Sequence, residues 1–249
     1  MQEQYYQQYY DAELSHWWFC ARRHIVASLL RRYTPSTQLL QVADIGCGMG
    51  ASFDVLSRFG TVTGVDFSST ALAFSRRRGH TLLAAAALPV LPFRDGCFDV
   101  VCAFDVIEHI NDDHAAAREL WRICRPGGLM VVTVPAYRWL WSEHDDINEH
   151  KRRYTRSELL ACLTQTDGRM LKLSYLNTLL APPLMACRVL KNLLGRRDRQ
   201  ATPRSDVFSV AAPINAVLRA VFSSEAAWLR VARFPFGISL ICVARKNEN

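Results

Sequence analysis

The stretch that most constrains this chain is Leu39-Leu40-Gln41-Val42-Ala43-Asp44-Ile45-Gly46-Cys47-Gly48-Met49-Gly50. An apolar run of strand length ends in an acid, and three glycines then alternate with two other residues. Glycine has no Cβ and accepts φ > 0, so this loop can turn sharply and bring its backbone against a ligand. A helix is expected to follow over 51–58, its N-terminal amides adding a partial positive pole. Strand, glycine loop and helix together form a nucleotide-type binding corner.

Two ligand classes compete for that corner. Gly46, Gly48 and Ala51 satisfy the loose dinucleotide fingerprint G-x-G-x-x-A, and Asp66 lies near the expected distance for a ribose-binding acid. Asp44 argues the other way, because it sets a negative charge beside the place a pyrophosphate would occupy. It suits a ligand that carries positive charge. S-adenosylmethionine (SAM) has a sulfonium and an ammonium group and no phosphate. The loop favours SAM, with NAD as the competing reading.

Along the chain, a helix is expected from Asp11 to Arg32, broken by Pro35 and Ser36. Trp17 and Trp18 are adjacent and cannot both face one core, which leaves one to cover a ligand or a loop. After the glycine corner, the β-branched run 61–66 ends in Asp66, whose carboxylate can accept both ribose hydroxyls; Phe67 can lie against an adenine. Ser68 and Ser69 offer N-caps to a helix ending near Arg78. Further strands are expected at 80–85, 97–104 and 129–134, with a proline-bearing extended loop at 86–93 and a helix over 111–125. Such alternation of strand and helix demands a parallel sheet with right-handed crossovers.

Composition narrows the class. At 249 residues, half of them hydrophobic, the chain fits one α/β domain with an elaboration. Eight cysteines without a C-x-x-C pair argue for reduced thiols rather than a disulfide scaffold or zinc site. The polar, aromatic N-terminus is unlike a signal peptide, and no run reaches the ~18 apolar residues of a membrane span. The expected location is cytoplasmic. Residues 1–150 carry 13 basic and 17 acidic side chains, and residues 151–249 carry 17 basic and 6 acidic. That asymmetry points to an anionic partner for the second part: a phosphate, a lipid surface or a nucleic acid, unless it is only a solvated basic face.

Taken in order, Asp44-x-Gly46-x-Gly48-x-Gly50, Asp66, Leu91-Pro92-Phe93, Phe98-Asp99-Val100-Val101, Asp105-Val106-Ile107-Glu108-His109 and Arg125-Pro126-Gly127-Gly128 resemble the class I SAM-dependent methyltransferases over about residues 40–135. The resemblance implies a Rossmann-like α/β sheet of seven strands with the last antiparallel, strands six and seven falling at 169–175 and 238–244. His16-Trp17-Trp18-Phe19-x-x-Arg22-Arg23, Trp141-Ser142-Glu143-His144-Asp145, His150-Lys151-Arg152-Arg153-Tyr154-Thr155 and Phe236-Gly237-Ile238-Ser239-Leu240 look like a subgroup often associated with lipid-linked or surface-polysaccharide glycosyltransferases. The implied organisation is an N-terminal helical lid (1–36), a SAM-binding core (37–176), a helical insertion or cap (177–236), and a last core strand and tail (237–249).

The resemblance also implies roles. Asp44, Gly46, Cys47, Gly48 and Gly50 belong to the cofactor loop around the methionine half of SAM, Asp66 to the ribose and Phe67 to the adenine. Phe104 and Asp105 sit beside the amino acid moiety, and Arg22 pairs with its carboxylate. One departure stands out: where many relatives place an adenine-contacting Asp near the end of strand three, this chain has Ala84-Ala85-Ala86-Ala87.

For the acceptor, the resemblance and the composition together suggest a hydroxyl of a small or lipid-linked molecule. A hydroxyl benefits from a general base. The long loop 135–154 supplies His144 and His150, with Asp145 to orient an imidazole, as the candidate catalytic residues, and Arg152 and Arg153 as a phosphate clamp. Asp105-x-x-Glu108-His109 is similar to the metal-binding E-x-x-E-H of quinone-biosynthesis O-methyltransferases, but a shorter Asp replaces the first Glu, and no metal is expected. A capping box at Thr155-Arg156-Ser157-Glu158 starts a helix running to about Thr166. Apolar helices at 179–194 and 214–231, next to the basic Arg196-Arg197-Asp198-Arg199, suggest a cap over the acceptor site and peripheral contact with the inner face of a membrane. Nucleic acid is not expected: the N/D-P-P-Y/F-like motif of base-modifying amino-methyltransferases is absent after strand four. The alternatives carried forward are a catalytically degenerate binding module and an RNA methyltransferase.

Overall fold

The computed structural model describes residues 6–34, 38–164, 168–186 and 210–248. Seven strands, β1 (Leu40–Ile45), β2 (Gly60–Asp66), β3 (Leu83–Ala85), β4 (Phe98–Phe104), β5 (Cys124–Pro135), β6 (Gly168–Leu176) and β7 (Ser239–Lys246), form one sheet in the order β3-β2-β1-β4-β5-β7-β6. The first five run parallel, and β7 lies antiparallel to both β5 and β6. The strand order reverses between β1 and β4. In a doubly wound sheet that switch point opens a crevice at the carboxyl ends of the strands, where ligands bind.

The helices are α1 (Tyr6–Glu13), α2 (Trp17–Tyr33), α3 (Phe53–Leu56), α4 (Ser69–Arg77), α5 (Asp113–Ile123), α6 (Glu143–Ile147), α7 (Arg156–Leu163) and α8 (Ala212–Val231). Both sheet faces are covered, which is why the central strands read as continuous apolar runs rather than alternating ones. On one face Val42, Val100, Cys102 and Val131 pack with Ile25 and Leu29 of α2 and Phe222 and Leu229 of α8. On the other, Val101, Ala103 and Val132 pack with Leu120 of α5 and Leu159 of α7.

Several expectations shift. The N-terminal helix is two helices, interrupted at residues 14–16, where the His16 side chain accepts the Trp18 amide and caps α2. Both tryptophans find apolar partners: Trp17 and Trp18 meet edge to face at 6.0 Å, and each also contacts Phe222 of α8, at 6.1 and 5.3 Å. The second surface that the sequence did not reveal is thus α8, which lies along α2. Loop 135–154 contains regular structure, a 3-10 turn (Arg138–Leu140) and α6, and Ala136 bridges to Tyr154. The breaker Pro35-Ser36, the end of the helix at Thr166 and the basic run Arg196-Arg197-Asp198-Arg199 lie outside the described residues.

Candidate functional site

The glycine loop leaves β1 at the switch point. Gly46, Gly48 and Gly50 all have positive φ (70°, 53° and 82°). A Cβ on Gly46 would stand 2.4 Å from Val106, whereas one on Gly48 would meet nothing within 4 Å. The loop therefore opens at Gly48 and is closed behind it. Four of its amides are already bonded: Gly46 and Cys47 donate to the Val65 carbonyl at 2.7 and 2.9 Å, Gly50 to the Cys47 carbonyl at 3.0 Å, and Gly48 to Asp66 at 2.9 Å. The helix that follows is α3, four residues long rather than the eight expected, and a single turn has a correspondingly small dipole. The bonded amides and the short helix leave a weaker anion site than the dinucleotide reading calls for.

Asp44 is the buried acid of the corner. It is 1% exposed and its Oδ2 has no hydrogen-bond partner. Burial pushes its carboxyl up to about 7; Arg22 pulls the other way, while Asp66 and Glu13 add to the rise. A buried acid in that state is stabilised by an arriving cation or N–H donor. The Cys47 side chain turns into the core, where a Cβ on Gly64 would stand 2.9 Å from its Sγ, so its backbone is the part that borders the loop's open side.

Asp66 ends β2 with each carboxylate oxygen holding a backbone amide, Oδ1 that of Ser68 at 2.8 Å and Oδ2 that of Gly48 at 2.9 Å. Each oxygen keeps a second acceptor site for a ribose hydroxyl. Phe67 is 73% exposed, an open aromatic face at the cradle's rim. Opposite Asp66 in the register is Ala85, and the Ala86 amide donates to the Asp66 carbonyl, so backbone and methyl groups stand at the end of β3.

Arg22 and Asp105 were both expected at the amino acid end, and the structure pairs them with each other as an ion pair. Asp105 adopts φ 56°, its amide donates to the Thr133 carbonyl, and its Oδ1 accepts from Thr133 Oγ1 at 3.2 Å. Phe104, Arg22 and Arg23 line a small cavity with Val26, Ser52 and Leu56. Glu13 of α1, which the sequence reading missed, is partly buried beside these arginines, and loss of solvent raises its carboxyl to about 7.

The acceptor-side residues come together around Asp145, which is fully buried. It receives Arg153 through Nε at 2.7 Å and Nη2 at 3.0 Å, the Ser142 amide at 2.8 Å, and His150 Nδ1 at 2.8 Å. Burial acts to raise the Asp145 carboxyl, but the bonds and charges of His150 and Arg153 outweigh it and hold the group well below the carboxylate range. Asp145 is thus closed off from solvent, with both oxygens engaged by its neighbours. Arg153 is a correction: it also donates to the Ala136 carbonyl and is not a phosphate clamp. Arg152 pairs with Asp113 at 2.8 Å and lines an open groove with Arg138, Trp141 and Lys151. His144 stands by Asn148, whose amide lies 3.3 Å from its Nε2, and its ring centroid is 6.1 Å from that of His150.

Residues 43–132 match a family model described as a methyltransferase domain. The sheet order and the antiparallel β7 agree with solved structures of that architecture. Geranyl diphosphate C-methyltransferase from Streptomyces coelicolor A3(2) superposes with a TM-score of 0.58 at 18% identity, covering 89% of this chain and 76% of the other. The fold is that of the class I SAM-dependent methyltransferases. The same fold also hosts a different reaction: the [4+2]-cyclase SpnF superposes with a TM-score of 0.58 at 20% identity, covering 91% of this chain and 82% of that one. Among curated proteins, a probable S-adenosylmethionine-dependent methyltransferase of Mycobacterium tuberculosis is 35% identical over 127 residues, 50% of this chain and 45% of the relative. The malonyl-[acyl-carrier protein] O-methyltransferase of Enterobacter lignolyticus is 28% identical over 179 residues, 67% of this chain and 69% of the relative. The chain spans about half the length of the first of these. SAM is the cofactor that the name of the Mycobacterium tuberculosis relative carries, and the cradle offers donors and surfaces of matching kind: a buried acid with one unpartnered oxygen, a carboxylate anchored by two amides, and an exposed aromatic ring.

Proposed function

We propose that this protein is a SAM-dependent methyltransferase whose acceptor is a hydroxyl group of a small or lipid-linked molecule. The observation that carries the reading is the Asp44 carboxyl, buried at the end of β1 with its Oδ2 unpartnered, beside a loop four of whose amides are already bonded. SAM, when bound, supplies a methyl group on a sulfonium leaving group. Asp44 and the loop at Gly46, Gly48 and Gly50 take the methionine half, with Phe104 and Asp105 alongside. Arg22 binds the carboxylate in exchange for Asp105. Asp66 takes the ribose hydroxyls and Phe67 stacks on the adenine. With so good a leaving group, positioning and exclusion of water supply most of the rate. On the acceptor side Asp145 and Arg153 fix the His150 ring, and His150 acts on the acceptor hydroxyl with His144 flanking it.

A lipid-linked acceptor is supported by α8. Ile214, Val217, Trp228 and Val231 are exposed and fall on one stripe at helical spacing, beside the face buried on α2. No described helix is long and apolar enough to cross a membrane. A surface helix of this kind is expected to make a peripheral contact, and flotation with anionic liposomes tests it, since absence of lipid dependence removes this part of the reading.

Calorimetric titration with SAM, S-adenosylhomocysteine and NAD⁺ tests the cofactor. Binding of SAM on the order of micromolar, weakened about a hundredfold in Asp66→Ala, is expected, because the loss removes bonds to a charged acceptor. A folded protein that binds NAD⁺ and not SAM would overturn the proposal.

A further inference from the structure

Three side chains converge where no metal was expected from the sequence. Glu108, His109 and His150 each offer a ligand atom, and the three atoms lie within 4.8 Å of one another. The D-x-x-E-H pattern drew attention to Asp105 as a companion of Glu108 and His109. The structure turns Asp105 away, onto Arg22 and Thr133, and puts His150 of a distant segment in its place. From the geometry we infer that Glu108, His109 and His150 form a binding site for a divalent transition-metal ion.

Two of the ligands are prepared in different ways. Glu108 is 0% exposed, and neither of its carboxylate oxygens has a hydrogen-bond partner. Leaving a carboxylate buried and unpaired is among the costliest things a fold can do, and a cation is the partner that relieves it. His150 is held through Nδ1 by Asp145, which leaves Nε2 as the ligand atom; a carboxylate behind a ligating imidazole is the usual outer support of such sites. Glu149, next to His150 in the chain, takes up φ 59°, a left-handed conformation uncommon for a residue with a side chain. The two segments are stitched together: the Lys151 amide donates to the Glu108 carbonyl at 2.9 Å. The His109 and His150 rings meet at right angles, 4.7 Å between centroids.

Donors on a tetrahedral ion with bonds of about 2.1 Å stand about 3.4 Å apart, so the set needs only a small contraction to close on a metal. Two imidazoles and one carboxylate select zinc, manganese, iron or cobalt over magnesium and calcium, which prefer all-oxygen shells. Three protein ligands also leave positions open. If the methyl-transfer reading holds, an acceptor hydroxyl fills one of them. Coordination lowers its pKa, its proton leaves to solvent, and the oxygen lone pair forms the new C–O bond as the C–S bond breaks, with that bond's electron pair remaining on sulfur. His150 then acts on the acceptor through the ion rather than as a base. This role rests on the methyl-transfer reading; the site itself does not.

The test uses the full chain stripped with chelator and titrated with Co²⁺ and Zn²⁺, reading Co²⁺ absorption and Zn²⁺ calorimetry, with SAM binding measured separately. One equivalent of metal is expected, with affinity falling at least tenfold in His150→Ala and in Glu108→Gln and unchanged in His114→Ala. Should Glu108→Gln fail to fold, His109→Ala serves in its place. A folded wild type that takes up no metal, or a His150→Ala protein that binds it as tightly as wild type, overturns the site. Metal uptake without SAM binding would sustain the site and sink the methyl-transfer reading; SAM binding without metal uptake would do the reverse.

Discussion

The proposed cofactor half and the proposed acceptor half of this crevice are built on opposite plans. The cradle is local: Asp44 to Gly50 and Asp66 to Ser68 are two strand ends bonded to each other through Val65, Asp66 and the loop amides. The acceptor side is assembled from afar, with Glu108 and His109 after β4 meeting Asp145, His150 and Arg153 from the segment after β5. A local cradle keeps its shape when its neighbours change. An assembled one depends on the bonds that join its segments, among them the buried Asp145–Arg153 pair.

The largest expected effect breaks that difference open. Asp145→Ala strands the Arg153 guanidinium, 3% exposed, without its carboxylate, and should destabilise the fold by about 3–5 kcal/mol. Thermal unfolding measures this, and SAM affinity determined below the transition should stay within about twofold of wild type if the two halves are as separate as they look. A comparable loss of SAM affinity would show that they are one unit.

The next effect is a pH dependence belonging to the cradle. Asp44 titrates near 7 in the folded chain, against 3.8 for a free side chain. Between those values the native state holds a proton that the unfolded chain has lost, so the stability of the unliganded protein falls as pH rises across that window. A cationic ligand favours the ionised form. SAM affinity should therefore rise about tenfold from pH 6 to pH 8, with proton release on binding. Asp44→Asn should flatten most of this dependence, although Glu13, also near 7, leaves a residue of it. A flat wild-type profile would mean that SAM does not approach Asp44.

The smallest effect is at the rim. Phe67→Ala removes an exposed ring and should weaken SAM by about fivefold, on the order of 1 kcal/mol for a lost stacking contact, without altering the melting temperature. With no acid at Ala85, this ring is expected to matter more to adenine binding than it would beside an Asp, and adenine-modified SAM analogues offer a direct comparison.

The contrast also explains what could be read from the residues. Strands β1, β2 and β4 announce themselves, because apolar runs with an Asp at or beside their ends are contiguous in sequence, whereas β5 starts at Cys124, five residues before the expected 129, and takes in the Arg125-Pro126-Gly127-Gly128 run. The last two strands were placed within two residues at each end. Three features were hidden by their dependence on distant residues. The helix after Gly50 stops after one turn, and the His80 ring stacks on Phe53 at 4.1 Å and reaches the Gly50 carbonyl there. Trp17 and Trp18 share Phe222, some two hundred positions away. His150 meets Glu108 and His109 only because the backbone of 151 pairs with that of 108. Residue type signalled chemistry in each case, but only the tertiary pairing could say which chemistry.

The position of β7 has a consequence for the order in which the molecule is made. The final strand lies between β5 and β6, pairing with both along nearly its whole length. Synthesis runs from the N-terminus, so β5 waits with an open apolar edge while about a hundred residues are added. The contact of α8 with α2 waits for the same interval, as does the bond from the Trp17 amide to Asn215 at 2.8 Å. A nascent chain carrying the whole cofactor cradle would thus still lack both a closed sheet and a buttressed N-terminal helix. Chaperone demand should be concentrated in that window on the ribosome and should fade once β7 emerges.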